Sequence, residues 1–491
     1  MNMKNIKYFI FLIGIFSCIS CNEDFVTKQF TNGVVEDNFY KTVKDAEQAL
    51  TGVYDPISRK GVYRESFVVL GECSSDNIDE QTGDNGDYGF QWKAVSDYRW
   101  LPENIFIYSR WYDCYAGIFR ANTFLQKVPA IAMDETLKKQ YLAEATFLRA
   151  VYYWNLVITF GDVPLVNKVL SQSEYRKLAR SPIADVYKQI EADLNAAVPN
   201  LPVANSNPVG RVTKGAALGF LGRMYLYQNK WQQAADASKQ VVDLGRYKLV
   251  PDFISLFNGK NENSVESLME FQAVTFAPSY WDLGTKNSIA SMWSPTIGWS
   301  NWYTPSKETV TIFPKGDQRR KSILVVGAVP ADSIDVDGKG PKPFPTPPMR
   351  PTYFNNVSVR KYLPEGRDMN NVNNYEVNNH IIRYAEVLLN QAEALNEVGK
   401  GSEALVPLNQ VRERAKMPAI TETNQTALRT IIRQERRLEL MFEGHRFFDL
   451  ARWGIAETVL KSKGFVKGRN EFFPVPQAEL GVMPNLTQYP K

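Results

Sequence analysis

The stretch "LGFLGRMYLYQNKWQQAADASKQVVDLGRY", Leu218 to Tyr247, decides the fold. Ala216, Leu218 and Leu221 place apolar side chains at helical spacing, and after the polar break Gln228-Asn229-Lys230 a second helix is expected to begin at Trp231. Leu221, Gly222 and Tyr225 precede Ala234 by spacings that fit the 34-residue tetratricopeptide pattern, in which small residues let two antiparallel helices approach closely.

The pattern recurs in "IRYAEVLLNQAEALNEVGKGSEALVPLNQVRERA". There Ala392, Leu395, Ala404 and Leu408 stand where Gly222, Tyr225, Ala234 and Ser238 stand in the first unit, and Gly399 and Gly401 are expected to make the turn. Asp45 to Tyr54 and Leu142 to Phe160 look like partial copies. One such unit cannot cover its own apolar face, so distant segments must assemble into one helical scaffold. Residues 250–375 read differently, with many Pro, Gly, Asn and Ser residues and the tract "GPKPFPTPPMRP", which forbids regular helix. Loops of this length held on rigid elements are commonly functional. Residues 71–104 form a smaller, polar counterpart containing Trp92 and Trp100.

At the N-terminus, Lys4 and Lys7 precede an apolar run from Tyr8 to Phe16, long enough for a secretory signal and far short of a membrane span. Small Ser20 before Cys21, with polar Asn22, Glu23 and Asp24 after it, suits cleavage and lipid attachment at Cys21; Cys18 is the competing site. Removing residues 1–20 leaves 55 basic against 53 acidic residues, a balance that argues against nucleic acid as a partner. Beyond Cys21 only Cys73 and Cys114 then remain as free thiols, so the chain is no disulfide scaffold, although these two could form a single bridge.

Five blocks in order, "FLRAVYYWNLVITFGDVPLV", "RVTKGAALGFLGRMYLY", "IRYAEVLLNQAEALNE", "IIRQERRLELMFEGHRFFDLARWG" and "FFPVPQAELGVMPNL", together with the lipoprotein-type signal, resemble the SusD/RagB family of outer-membrane lipoproteins. The resemblance implies an all-α, mainly helical protein with four tetratricopeptide-like helix pairs and a more irregular half carrying most ligand contacts. It also implies a surface-exposed chain, lipid-anchored in the outer membrane, that passes oligosaccharide, or in some members peptide, to a SusC-like TonB-dependent transporter. The expected organisation is a signal peptide at 1–20, an N-terminal helical region at 21–249, a loop-rich ligand-binding region at 250–375 and a C-terminal helical region at 376–491.

Four of the ten tryptophans, Trp281, Trp293, Trp299 and Trp302, fall within 22 residues of the loop-rich region, joined by Tyr280 and Tyr303. Sugars have apolar C–H faces and hydroxylated edges, so flat aromatic platforms with polar margins suit them. Trp92 and Trp100 are expected to complete that surface, with Asn77, Asp87 and Arg99 as hydrogen-bonding partners. Trp111, Trp154, Trp231 and Trp453 lie in helical patterns and read as core.

The block "RQERRLELMFEGHRFFDLARW" is dense in charge, but its spacings of three and four and its interleaved apolar residues predict a partly buried ion-pair network rather than acid–base chemistry. With only His380 and His445 present, a histidine-rich metal site is nearly excluded. "DSIDVDGKG" lacks the glutamate that closes an EF-hand and reads as an Asp-Gly turn. No phosphate-binding loop, dinucleotide fingerprint or nucleophile elbow is present, so neither cofactor nor catalysis has residues to rest on. The expected function is non-enzymatic glycan capture. Its rivals are peptide capture, a surface glycoside hydrolase with two facing carboxyl groups, and a structural repeat protein that binds only its transporter.

Overall fold

The computed structural model describes residues 39–80, 87–203, 209–273, 303–325, 333–334, 342–343, 357–363 and 377–488. Cys21, Trp281, Trp293, Trp299, Trp302 and Tyr280 lie outside these residues, as does most of the proline-rich tract. The longer helices are α1 (Val43–Tyr54), α2 (Asp87–Ser96), α3 (Ile105–Lys127), α4 (Glu135–Phe160), α5 (Ile183–Ala197), α6 (Lys214–Tyr227), α7 (Trp231–Asp243), α8 (Tyr384–Glu397), α9 (Gly401–Arg414), α10 (Gln425–Leu440) and α11 (Arg446–Arg452). Local chemistry sets several of their starts. Thr42 and Asp45 form a reciprocal capping box on α1, and Asn104, Asp134, Thr213 and Asn424 cap α3, α4, α6 and α10 through side-chain oxygens.

The repeat reading holds in three dimensions. Helix α6 pairs with α7 and α8 with α9, and α7 packs against α8, so the two units are neighbours although the loop-rich stretch separates them in sequence. Within the first unit a Cβ on Gly222 would stand 2.8 Å from the Ser238 hydroxyl, the close approach that the small residue permits. The turns also correspond: Asn229 and Gly399 both take positive φ, +56° and +79°. Gly401 is not part of the turn. It opens α9, where a Cβ would meet the Thr423 carbonyl oxygen at 2.7 Å. Helix α3 lies against α4, whose last residues, Ala150 to Phe160, are buried without a break and form the middle of the core.

Among the described residues eight short strands form four antiparallel pairs. Strand β1 (Ile78–Glu80) pairs with β3 (Tyr303–Pro305), β2 (Ser267–Phe271) with β8 (Asn379–Arg383), β4 (Ile323–Val325) with β7 (Val357–Val359), and β5 (Ser333–Ile334) with β6 (Lys342–Pro343). None grows into a larger sheet among the described residues. The protein is therefore mainly helical, with irregular chain stapled to the helices. Cys73 and Cys114 are both buried as thiols and form no disulfide. Of the tryptophans expected in the core, Trp111 and Trp154 are buried, while Trp231 and Trp453 are half-buried.

The staple is ionic. Arg383, at the end of β8, donates to Glu443 (2.9 Å), Glu266 (3.0 Å) and Glu439, all in the interior. Lys361 bonds Glu443 at 2.6 Å and the Met441 carbonyl at 2.9 Å, Arg414 bonds Glu266 and Glu439, and Arg319 bonds Asp317 at 2.7 Å. Burial opposes ionisation of Glu443, yet Arg383 and Lys361 hold its carboxyl at about 2. Arg414, Arg383 and Arg319 likewise outweigh burial at Glu439 and keep it well below the usual carboxylate range. Burial pulls the Lys361 ammonium down to about 8 despite Glu443 beside it. A second cluster joins Arg223 to Glu386, Arg436 to Asp449 and Arg452 to Glu393 at 2.7 Å each. The charged block is thus the buried network that its spacing predicts.

Removing one member leaves its partners charged and unpaired in the interior, which costs about 3–5 kcal/mol. Arg383→Met is therefore expected to lower stability by about that amount, measured by urea denaturation. Acid should act through the same groups. Glu386, Glu443 and Asp449 sit near 2 in the folded chain against ordinary values of 4.5, 4.5 and 3.8. Their contribution is complete above the ordinary values and is lost as pH falls through that window toward 2. The urea midpoint is expected to fall across this range, and to fall less steeply in Arg383→Met.

Candidate functional site

The two polar regions singled out in the sequence meet in the fold. Strand β1 lies near the start of the first region and β3 closes the tryptophan-rich stretch, with Ile78 opposite Pro305, Asp79 opposite Thr304 and Glu80 opposite Tyr303. The Ser306 backbone N–H donates to the Asn77 carbonyl (2.9 Å), and the Ser306 hydroxyl donates to the Asp76 carbonyl (2.8 Å). Chain segments of low regularity are thereby held as one face.

The floor under that face comes from the charged block. Arg446 grips Asp76 with two bonds of 2.7 and 2.9 Å. Arg437, next to inward-facing Arg436, reaches the other way and binds Asp76 (2.9 Å), the Asn77 side-chain oxygen (2.9 Å) and Glu308. Lys463 donates to the carbonyls of Ser75 (2.7 Å) and Ile78 (2.9 Å), and burial pushes its ammonium down from the usual range. Beneath them Glu72 accepts from the Gly444 N–H (2.9 Å) and from Asn77 (3.1 Å). Burial raises its carboxyl to about 7 even though both donors favour the charged form.

The expected site residues divide accordingly. Tyr303 is brought to the face in β3, opposite Glu80. Arg99 is exposed and pairs with Asp97. Trp100 is half-buried, its ring 4.5 Å from that of Phe473. Asp87 opens α2. Two expectations need correction. Trp92 is only 4% exposed because it lies on α2 and points inward, edge-on to Phe106 with ring centres 5.1 Å apart. Asn77 is fully buried, its amide occupied by Glu72 and Arg437. Both are supports of the face rather than its surface. Asp76, Glu308 and Lys463 were not anticipated as pins. The sequence signal for Asp76 and Glu308 is the unmatched cationic side of the charged block; Lys463, a cation outside that block that binds backbone carbonyls, has none.

Among the described residues no three His, Cys, Asp or Glu side chains converge on a metal position. His380 is buried beside Glu270 at 3.2 Å. His445 is also enclosed, and burial lowers its imidazole to about 4 against the pull of Glu386. No described helix is long and apolar enough to cross a membrane.

Comparison with known proteins agrees with this architecture. Residues 247–467 match the model of the SusD family, and residues 27–226 match a family described as starch-binding and associating with the outer membrane. SusD-like protein P25 of Formosa agariphila is 27% identical over 99% of this chain and 98% of its own length. The starch-binding protein SusD of Bacteroides thetaiotaomicron is 23% identical over 70% of this chain and 69% of its own. A solved structure described as a laminarin binding SusD-like protein superposes with a TM-score of 0.80 at 32% identity, covering 92% of this chain and 100% of that one. With helix pairs, an ion-stapled irregular half and these relatives in agreement, the chain belongs to the SusD/RagB family.

Proposed function

We propose that this protein is a cell-surface lipoprotein, anchored through Cys21, that captures oligosaccharide on the face around β1 and β3 and hands it to a SusC-like TonB-dependent transporter of the outer membrane. One observation carries the reading. The tryptophan-rich stretch enters the described fold at Tyr303, opposite Glu80, on a floor locked by Asp76, Arg437 and Arg446. A rigid floor beside the end of a tryptophan-rich stretch is what a sugar-binding surface needs, because ordering loops at the moment of binding would consume affinity. The starch-binding and laminarin-binding relatives support glycan as the ligand class, and the family described as associating with the outer membrane supports the location. The protein acts by binding and release, without chemistry on the sugar.

A glycan array probed with the chain from Asn22 onward tests the ligand class, followed by calorimetric titration of any hit. Affinities of roughly micromolar to millimolar are expected, since many sugar hydroxyls stay solvated. Replacing Trp299 and Trp302 by alanine should weaken binding by about tenfold or more, the loss of aromatic stacking worth about 1.4 kcal/mol. Peptides titrating where every glycan fails, or shortened sugar products appearing on incubation, would overturn the proposal.

A further inference from the structure

Arg110, on α3, is fully buried, and every contact its guanidinium makes is with a neutral group. Nε donates to the Thr159 hydroxyl on α4 (3.3 Å), Nη1 donates to the carbonyls of Gly61 (3.1 Å) and Val62, and the Phe67 ring centre lies 5.4 Å away. Nη2 meets no acceptor. This sets Arg110 apart from the other buried arginines among the described residues, each of which holds a carboxylate: Arg223 has Glu386, Arg319 has Asp317, Arg383 and Arg414 have Glu266, Arg436 has Asp449 and Arg437 has Asp76.

No neighbour supplies the missing negative charge. Asp113, one turn along α3, accepts from the Gly61 N–H (2.9 Å) and pairs with Arg59 (3.6 Å), without reaching Arg110. Burial pushes the Cys114 thiol up to about 12 even with Arg110 beside it, so it stays neutral. Burial raises the Tyr63 phenol as well, and the Asn155 carboxamide next to it can satisfy its hydroxyl. Arg110 itself cannot escape by losing a proton: burial pulls its guanidinium down, but an arginine remains charged in proteins. A sealed charge without a counter-charge is among the most costly arrangements a fold can contain.

The surroundings narrow what could compensate it. Ser66, beside Phe67, is fully buried and its hydroxyl also finds no acceptor, so two groups at this place have hydrogen bonds to give and nothing to give them to. Water could accept both but brings no charge. A dianion would need a second free cation, and the nearby ones are committed, Arg59 to Asp55 and Asp113 and Arg223 to Glu386. One positive charge with spare donors in a closed interior therefore suits a single small monovalent anion. Phe67 lies between Arg110 and the turn that carries Gly444 and His445: a Cβ on Gly444 would stand 2.3 Å from Phe67 Cε1, and the His445 ring is 6.1 Å from that of Phe67. An anion here would tie residues 61–67 to α3 through charge as well as packing.

We propose that Arg110 binds one halide-sized anion through its Nη2 donors, a structural counter-ion held between α3 and residues 61–67. The site is separate from glycan capture and does not depend on it. Crystals of the chain from Asn22 onward, grown in sodium bromide and measured at the bromine absorption edge, test it directly. An anomalous peak within hydrogen-bonding distance of Arg110 Nη2 is expected; a water at that position, or no feature, would overturn the proposal. Thermal unfolding in equal concentrations of sodium chloride and sodium gluconate gives a second reading, because an anion bound only by the folded chain raises its midpoint. The chloride-minus-gluconate difference should be about 2 °C more positive in the unaltered chain than in Arg110→Met, which has no charge to compensate. Equal differences in the two proteins would overturn the proposal. Should Arg110→Met fail to fold, the bromide measurement on the unaltered chain decides alone.

Discussion

Arg383 and the carboxylates around it set the terms for the rest of the molecule. A guanidinium sealed from water is tolerable only when several oxygens surround it, and here they come from Glu266 before β2, Glu439 near the end of α10 and Glu443 just beyond it. Those oxygens can converge only if the β2–β8 pair, α10 and the segment around Lys361 are all docked. An apolar core tolerates sliding of one helix past another better than this arrangement does, because no alternative register leaves every charge paired. The network therefore selects one docking of the irregular half onto the helices. Its net energetic gain over a well-packed apolar substitute is a separate matter and need not be large.

The same helix serves the face and the core through consecutive residues. Arg436 points in, to Asp449 and Asn390, while Arg437 points toward Asp76, Asn77 and Glu308. A rigid element thereby transmits its position directly to loops that have no periodic structure of their own. Lys463 adds three carbonyl contacts to the chain leading into β1, replacing the backbone ladder that a longer strand would have supplied.

The helical half was legible because its signal is local. Period, turn length and small residues within each unit place α6 with α7 and α8 with α9, and the matching positive φ at Asn229 and Gly399 shows that the two turns are the same solution. The charged block was legible as a network but not as a wiring diagram, since Arg446 meets Asp76 across 370 positions of sequence. Trp92 was misplaced for a related reason. Its Gly- and Asp-rich surroundings look like loop, yet Asp87–Ser96 forms α2, and its indole lies edge-on to Phe106, a residue of α3 beyond the next connection. Asn77 failed similarly: a polar side chain in a polar loop looks exposed until the buried arginine that needs its oxygen is known.

The acids beneath the β1–β3 face also bear on binding against bond cleavage. A glycosidase needs one carboxyl kept protonated and a second free carboxylate about 5 to 9.5 Å away, both open to the sugar. Glu72, raised to about 7, is the described acid whose proton affinity best suits the first role, but it is sealed between Asn77 and the Gly444 amide, where no sugar oxygen reaches it. Asp76 is held on both sides by Arg446 and Arg437, and Glu308, though exposed, is the counter-ion of Arg437. To free either carboxylate for chemistry would loosen the floor that positions Tyr303. In these three acids the carboxyl groups are committed to hydrogen bonds and ion pairs that hold the floor in place.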